Sequence, residues 1–371
     1  MALRTSIRNV RAIRSKLDSA QVACSGPSIG VRYATTTSSN EGSPLNPSGS
    51  SPKSNPKPGA PAPNNPFTVF DRDAKLQQRT RAYKDAESSR EVDYVRDASM
   101  ANLCERLLDV KRNFETIVEL GAGPGLLRRH LNAKTTGTKK IIMCDTSEIA
   151  LNRDVNEDGN YPLQFERRVI DEESLPFEEN SMDCIVCNGS LHWTNDLPGA
   201  LVQIQRALKP DGLFIGAVCG GDTLFELRTS FQLAEQEREG GISPRISPMA
   251  DSRDMVSLLS RAGFNIPTVD TDEIEVNYPS IYELMFDLRS MGESNAVIHR
   301  RTQIKRDTLL AASAIYPLIH GNVEEGTVPA TYHVIYLIGW KPDSSQRKPL
   351  KRGQATHSMK DILGEDGERK E

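Results

Sequence analysis

The chain has 371 residues, with 46 basic and 50 acidic side chains, a length that allows one large domain or two modest ones. Its hydrophobic content of 37% is low, so part of it is expected not to build a core. No apolar run approaches the roughly 18 residues that read as a spanning helix, which argues against a membrane-embedded chain.

The first 33 residues carry Arg4, Arg8, Arg11, Arg14, Lys16 and Arg32 against one acid, Asp18. Leu3, Ile7, Val10, Ile13, Leu17 and Val22 recur among them at roughly helical intervals. A basic amphipathic helix without an uninterrupted apolar core reads as a mitochondrial transit peptide, not a secretory signal. The Arg32-Tyr33-Ala34 step reads as the processing site. Residues 34–66 are Ser, Thr, Asn, Gly and Pro, with eight prolines between Pro44 and Pro66 and no aromatic side chain between Thr35 and Pro66. Such a stretch has nothing to bury and is expected to be a disordered linker. Without residues 1–66, which hold eight bases and two acids, the body carries a charge of about −10, a sign with no general attraction for nucleic acid or anionic lipid.

From residue 67 a charged, turn-poor segment to Lys84 predicts a helix lying over the ligand site. Met100, Leu103, Cys104, Leu107 and Leu108 then recur at helical spacing and predict a core-facing helix. The run VELGAGPG at 118–125 reads as a strand, a tight turn and a helix start. Its glycines, Gly121, Gly123 and Gly125, permit left-handed backbone or an approach that a Cβ would block. The pattern also suits an ordinary glycine-rich turn, and the dinucleotide version would want a glycine where Leu126 stands. Strands follow at 116–120, 141–144, 165–170, 182–187 and 213–218, separated by helices from Leu126 to Ala133, from Glu148 and at 196–208. Alternation of this kind predicts a parallel sheet covered on both faces. Helices are expected near 223–238, 251–262, 280–290 and 302–319, with strands at 273–278 and 332–338. Cys184 and Cys187 form a C-x-x-C within a strand, where odd separation sends them to opposite faces; with no second pair, no metal site is expected.

Three further stations follow the glycine turn. Asp145 ends the second strand about 20 residues on, where a carboxylate can accept hydrogen bonds from both hydroxyls of a ribose. Asp171 ends the third strand in VIDEESLPF, with Glu172 and Leu175 beside it, and CNGSLHWTND at 187–196 follows the fourth. An acid at Glu119, two residues before G-x-G-x-G, resembles the first motif of class I S-adenosylmethionine-dependent methyltransferases. The resemblance implies a seven-stranded α/β Rossmann-like sheet ending in an antiparallel pair, and it places the adenine amino group at Asp171. Residues 67–342 would form this domain, with a helical cap inserted at about 279–331 and a disordered tail at 343–371. Glu119, Gly121, Gly123, Gly125, Asp145, Asp171, Glu172 and Asn188 are the expected S-adenosylmethionine residues. Asn188-Gly189-Ser190-Leu191 stands where enzymes that methylate base amines carry Asn/Asp-Pro-Pro-aromatic, so a base-methylating role is not expected. His192 and Trp193 would frame an acceptor, His192 as general base or as a brace for the loop.

The segments CGGDTLFELRTSFQLAEQEREGGISPRISP at 219–248, VDTDEIEVNYPSIYELMFDLRSMGESNA at 269–296 and VPATYHVIYLIGW at 328–340 carry a closer resemblance. They are similar to mitochondrial assembly factors of respiratory complex I that have a methyltransferase fold, over essentially residues 67–340. The departures are Cys219, where the family carries Phe, and the GAGPG variant of the glycine motif. The resemblance implies a matrix protein peripheral to the inner membrane that hydroxylates an arginine on a peripheral-arm subunit. The residues themselves do not yield that chemistry, because no histidine has an acid two positions on to start a facial triad. Three readings stay open beside it: methyl transfer by proximity, an assembly chaperone that binds S-adenosylmethionine without turnover, and a small-acid O-methyltransferase of the malonyl-carrier type. Asp222, Glu226 and Glu293 favour a cationic acceptor, whereas Arg228 favours a carboxylate. Asp222 and Glu226, four apart, are expected to point together toward the donor, or else to cap a helix N-terminus.

Overall fold

The structure, a computed structural model, describes residues 68–346. The expected transit peptide, the linker and nearly all of the tail lie outside them. Three helices open the domain, α1 (Arg72–Ala82), α2 (Ala86–Glu91) and α3 (Tyr94–Leu108). There follow β1 (Thr116–Leu120), α4 (Leu127–His130), α5 (Ala133–Thr136), β2 (Lys140–Asp145), α6 (Glu148–Asn152), β3 (Gln164–Val169), β4 (Met182–Asn188), α7 (Leu197–Ala207) and β5 (Leu208–Cys219). The chain continues through α8 (Phe225–Glu239), α9 (Ser252–Arg261), β6 (Asn265–Tyr278), α10 (Ile281–Ser290), α11 (Arg306–Ile319) and β7 (Val328–Trp340).

The seven strands lie in the order β3-β2-β1-β4-β5-β7-β6. The first five are parallel, β7 runs antiparallel to β5, and β6 runs antiparallel to β7. The central strands read as near-continuous apolar runs because both their faces are covered. Cys184 faces one of the two resulting cores, with Met100, Leu103, Ile117 and Ile215, and Cys187 faces the other, with Val118, Leu201, Ile204 and Phe214.

Several boundaries differ from the sequence reading for definite reasons. The helix after the glycine turn stops at His130, because Leu131 is extended and Asn132 caps a separate α5. Leu108 is exposed at the end of α3, whereas its periodic partners are buried. β6 begins eight residues early, at Asn265; it is an edge strand with mostly solvated side chains, so hydropathy does not mark it. β7 is longer than its apolar run because it lies between β5 and β6 and is paired on both sides. Ahead of α1 the chain is extended and pairs with the segment after α10, through Asp71 N–H to Ala296 O at 2.7 Å and Ile298 N–H to Val69 O at 3.0 Å. Asp71 then caps α1 by accepting from Ala74 N–H at 2.9 Å.

Candidate active site

The carboxyl ends of the parallel strands, where ligands bind in open α/β sheets, bring most of the expected stations together. Gly121, Gly123 and Gly125 all have positive φ, at 63°, 53° and 80°. A Cβ on Gly121 would stand 2.2 Å from Ser190 Cβ, and one on Gly123 would meet the Arg96 guanidinium at 3.0 Å and the Tyr83 hydroxyl at 3.1 Å. The turn is thus bare backbone pressed against β4 on one side and facing two polar side chains on the other. Asp145 holds it in place, accepting from Gly123 N–H and Ser147 N–H, both at 2.9 Å. Both its oxygens already carry a backbone amide, so a ribose would share the carboxylate with the turn.

Two of the expected cofactor residues brace the site from below. Glu119 accepts from Leu127 N–H at 3.3 Å, and its other oxygen is buried without a partner. Burial pushes its carboxyl up to about 8. Asn188 fastens β4 to α3, accepting from Ser99 Oγ at 2.9 Å and donating to Arg96 O at 2.9 Å. Asp171 is half exposed and paired with Arg72 at 2.6 Å; the buried Glu172 takes Arg72 at 2.8 Å and lies 3.7 Å from Arg79. Burial works to raise Glu172, and the two guanidiniums outweigh it and hold it low.

His192 and Trp193 sit in a short turn, Leu191–Trp193, directly after β4. Trp193 donates its indole N–H to Glu293 at 2.5 Å, and His192 Nε2 lies 3.9 Å from the same oxygen. Burial lowers the imidazole against the pull of Glu293, and its Nδ1 is buried without a partner. The Asp222 and Glu226 pair does not form. Leu224 is left-handed and α8 starts only at Phe225, so Asp222 lies exposed in the preceding turn, outside the helix. Glu226 is buried and accepts from the Thr331 hydroxyl at 2.5 Å and Thr331 N–H at 3.3 Å, tying α8 to β7. A single left-handed residue breaks the i, i+4 geometry that the spacing implied.

The residues that sequence reasoning missed are mostly cations. Arg96, partly buried, donates to the Tyr83 hydroxyl at 2.6 Å, Gly121 O at 3.0 Å and Asn188 O at 3.3 Å, and its buried Nε has no partner. Arg72, Lys75 and Arg79 line one face of α1 and reach across the strand ends. Their i, i+3, i+7 spacing was visible, but a charged stripe on a helix ordinarily faces water. The described residues hold no group of three or more His, Cys, Asp or Glu placed to bind a metal. No described helix is long and apolar enough to cross a membrane.

The donor set fits an amino acid joined to a nucleoside: a partly buried guanidinium with a free N–H at the amino-acid end, bare glycine backbone beside it and a strand-end carboxylate. With the parallel sheet and its antiparallel β7, this defines the class I Rossmann-like methyltransferase fold. A family model described as methyltransferase domain matches residues 92–269. The rat protein named arginine-hydroxylase NDUFAF5, mitochondrial, is 47% identical over 296 residues, covering 80% of this chain and 84% of its own; the human one is 48% identical with the same coverage. A malonyl-[acyl-carrier protein] O-methyltransferase of Methylovorus is 32% identical over 253 residues, covering 67% and 82%. The chain belongs to the family of the mitochondrial arginine-hydroxylases NDUFAF5.

Two outcomes test this geometry. Gly123→Val is expected to weaken S-adenosylhomocysteine binding at least about tenfold, because a branched side chain there is strained by roughly 1–3 kcal/mol and fills the space before Arg96. Calorimetry returning wild-type affinity would reject the cradle. Glu119→Gln probes the buried acid. In the fold this carboxyl keeps its proton up to about pH 8, whereas the unfolded chain releases it near 4.5. Its contribution to stability is full below pH 4.5 and is lost as pH rises through 8. The ligand-free wild type should therefore lose on the order of a few kcal/mol from this group across that window, and the glutamine variant should melt with a visibly flatter pH dependence.

Proposed function

We propose that this protein binds S-adenosylmethionine and modifies an arginine of a peripheral-arm subunit during early assembly of respiratory complex I. On this reading it works in the mitochondrial matrix, against the inner membrane. The observation that carries the acceptor assignment is Glu293, a partly buried carboxylate facing His192 and Trp193 where an acceptor would enter, whose neighbouring cations hold it well below the usual carboxylate range. Lys75, His192 and Arg79 together overcome the burial that would raise it. A partly buried anion beside an imidazole whose pKa is lowered by burial suits a cationic acceptor that must give up a proton.

Arg96 would receive the amino-acid carboxylate of the ligand and Asp145 the ribose, while Gly121 and Gly123 give the backbone access that both need. When bound, the sulfonium supplies an electrophilic methyl group. The relatives' name points instead to transfer of oxygen, and the two chemistries leave different marks on the acceptor. Peptide mass spectrometry of arm subunits from cells lacking the protein decides between them. Loss of one oxygen's mass from an arginine supports hydroxylation, loss of one methylene's mass supports methyl transfer, and unchanged arginines in a stalled arm would return the protein to a chaperone role.

A further inference from the structure

The most unusual contact in the site is made by the chain with itself. Lys75, only 3% exposed, reaches from α1 to donate to Ser294 O at 2.8 Å and Gly292 O at 3.1 Å. Its ammonium lies 3.4 Å from the centroid of the Trp193 ring and 3.8 Å from Glu293 Oε2. An aromatic face, a carboxylate and two carbonyls around one point make a cation cage. The cage is loosely filled. Glu293 Oε1 is buried with no hydrogen-bond partner, and so is the Nε of Arg79, whose Nη2 stands 3.9 Å from that oxygen.

We propose that Trp193, Glu293 and the carbonyls of Gly292 and Ser294 form the receptor for the acceptor's alkylguanidinium, and that Lys75 holds this place until the acceptor displaces it. The assignment rests on the arginine-acceptor reading above. A compact ammonium uses the carbonyls and the ring but hydrogen-bonds neither carboxylate oxygen. A planar guanidinium can stack on the indole while its fork reaches the free Oε1, which an ammonium cannot do in one pose. Burial also lowers Lys75 to about 7 against the pull of Glu293. Burial thus works against the resident ammonium, whereas an arginine keeps its charge, and exchange favours the guanidinium. Lys75 lies on α1, which is also tied to the site by Arg72 on Asp171 and Glu172, by Arg79 on Glu172 and Gly189 O, and by Gln78 on Asn295 O, so displacement would remove one of several ties of the helix that covers the strand ends.

The chain has two tryptophans, and Trp340→Phe leaves Trp193 as the sole indole reporter in the full-length protein. Titration with Nα-acetyl-arginine amide should change Trp193 fluorescence saturably, and the uncharged citrulline amide should not. Lys75→Met, which keeps the stem and removes the ammonium, should tighten the arginine probe about tenfold. Glu293→Gln should weaken it by a similar factor, with Glu293→Asp intermediate, and calorimetry should find S-adenosylhomocysteine affinity unchanged in all three. Equal binding of arginine and citrulline amides, or no gain in Lys75→Met, would overturn the cage and leave Lys75 as a strut for α1. If the Gln variant does not fold, the Lys75→Met result alone decides. The two readings fail separately: probe binding without arginine modification in cells sinks the proposed function, and normal modification by Glu293→Gln sinks the cage.

Discussion

Arg96→Leu is expected to remove measurable S-adenosylhomocysteine binding. The guanidinium lies partly buried beneath the glycine turn and joins Tyr83, Gly121 O and Asn188 O. Burial opposes its charge, and the Tyr83 hydroxyl, Glu293 and Asp145 outweigh that and hold it protonated. Removing one side of a buried, hydrogen-bonded charge pair costs about 2–5 kcal/mol, so a carboxylate ligand should lose two orders of magnitude or more in affinity. Arg96→Lys keeps the charge and loses the planar fork, and should fall between the two. Calorimetry is the measurement, and wild-type affinity in the leucine variant would show that the amino-acid end of the ligand lies elsewhere. A melting curve run alongside separates lost binding from lost folding, since the variant also leaves Gly121 O and Asn188 O with fewer donors.

The second large effect is expected at Asp154, which lies away from the chemistry. Its carboxylate is fully buried and receives Arg153 at 2.7 Å and Arg90 at 2.7 Å, with Arg129 at 3.4 Å. Arg153 is itself fully buried and also holds Asp93 at 2.5 Å and Ser89 at 2.8 Å. These contacts tie α2 and the start of α3 to the end of α6, and Tyr83 lies against the same arginine, 5.6 Å from its ring. Asp154→Ala leaves Arg153 with one carboxylate in a dry site, a loss of about 3–5 kcal/mol. For a domain of this size that is on the order of 10 °C in melting temperature. Asp154→Asn, which keeps the shape and part of the hydrogen bonding, should lose less. A drop of under about 1 kcal/mol in urea unfolding of the alanine variant would show that the cluster is a solvated surface network, worth little as such networks are.

The sheet, the glycine turn and the strand-end acids were legible from residues alone because each depends on a local rule. Apolar runs of five or six residues mark buried parallel strands, and only glycine tolerates left-handed turns pressed against β4, as at Gly121. The spacing from that turn to Asp145 is set by two short helices and one strand, so it survives as a count along the chain. The positions of the expected cofactor residues at the strand ends were legible in the same way, but the contacts they make were not. Asn188 and Glu119 stand at the expected strand ends, yet one fastens α3 and the other braces α4. Which way a strand-end side chain turns is decided by what packs beside it.

The acceptor side was determined almost wholly by tertiary structure. Asp222 and Glu226 looked paired at helical spacing, and Leu224 in a left-handed conformation separates them before the helix begins. Glu293, 100 residues from Trp193 in sequence, meets it only because the extended segment before α1 pairs with residues 296–298 and draws the loop after α10 over the strand ends. The helix at 67–84 was expected over the ligand site, but the parts that Lys75, Arg79 and Arg96 play there were not legible, because periodicity records where apolar side chains recur and is silent about a cation held by polar partners. Sequence by itself determined the α/β sheet, the glycine turn and the acids at its strand ends. The meeting of Lys75, Trp193 and Glu293 was decided by long-range closure, since a contact across 100 or 200 residues leaves no local signature in either segment.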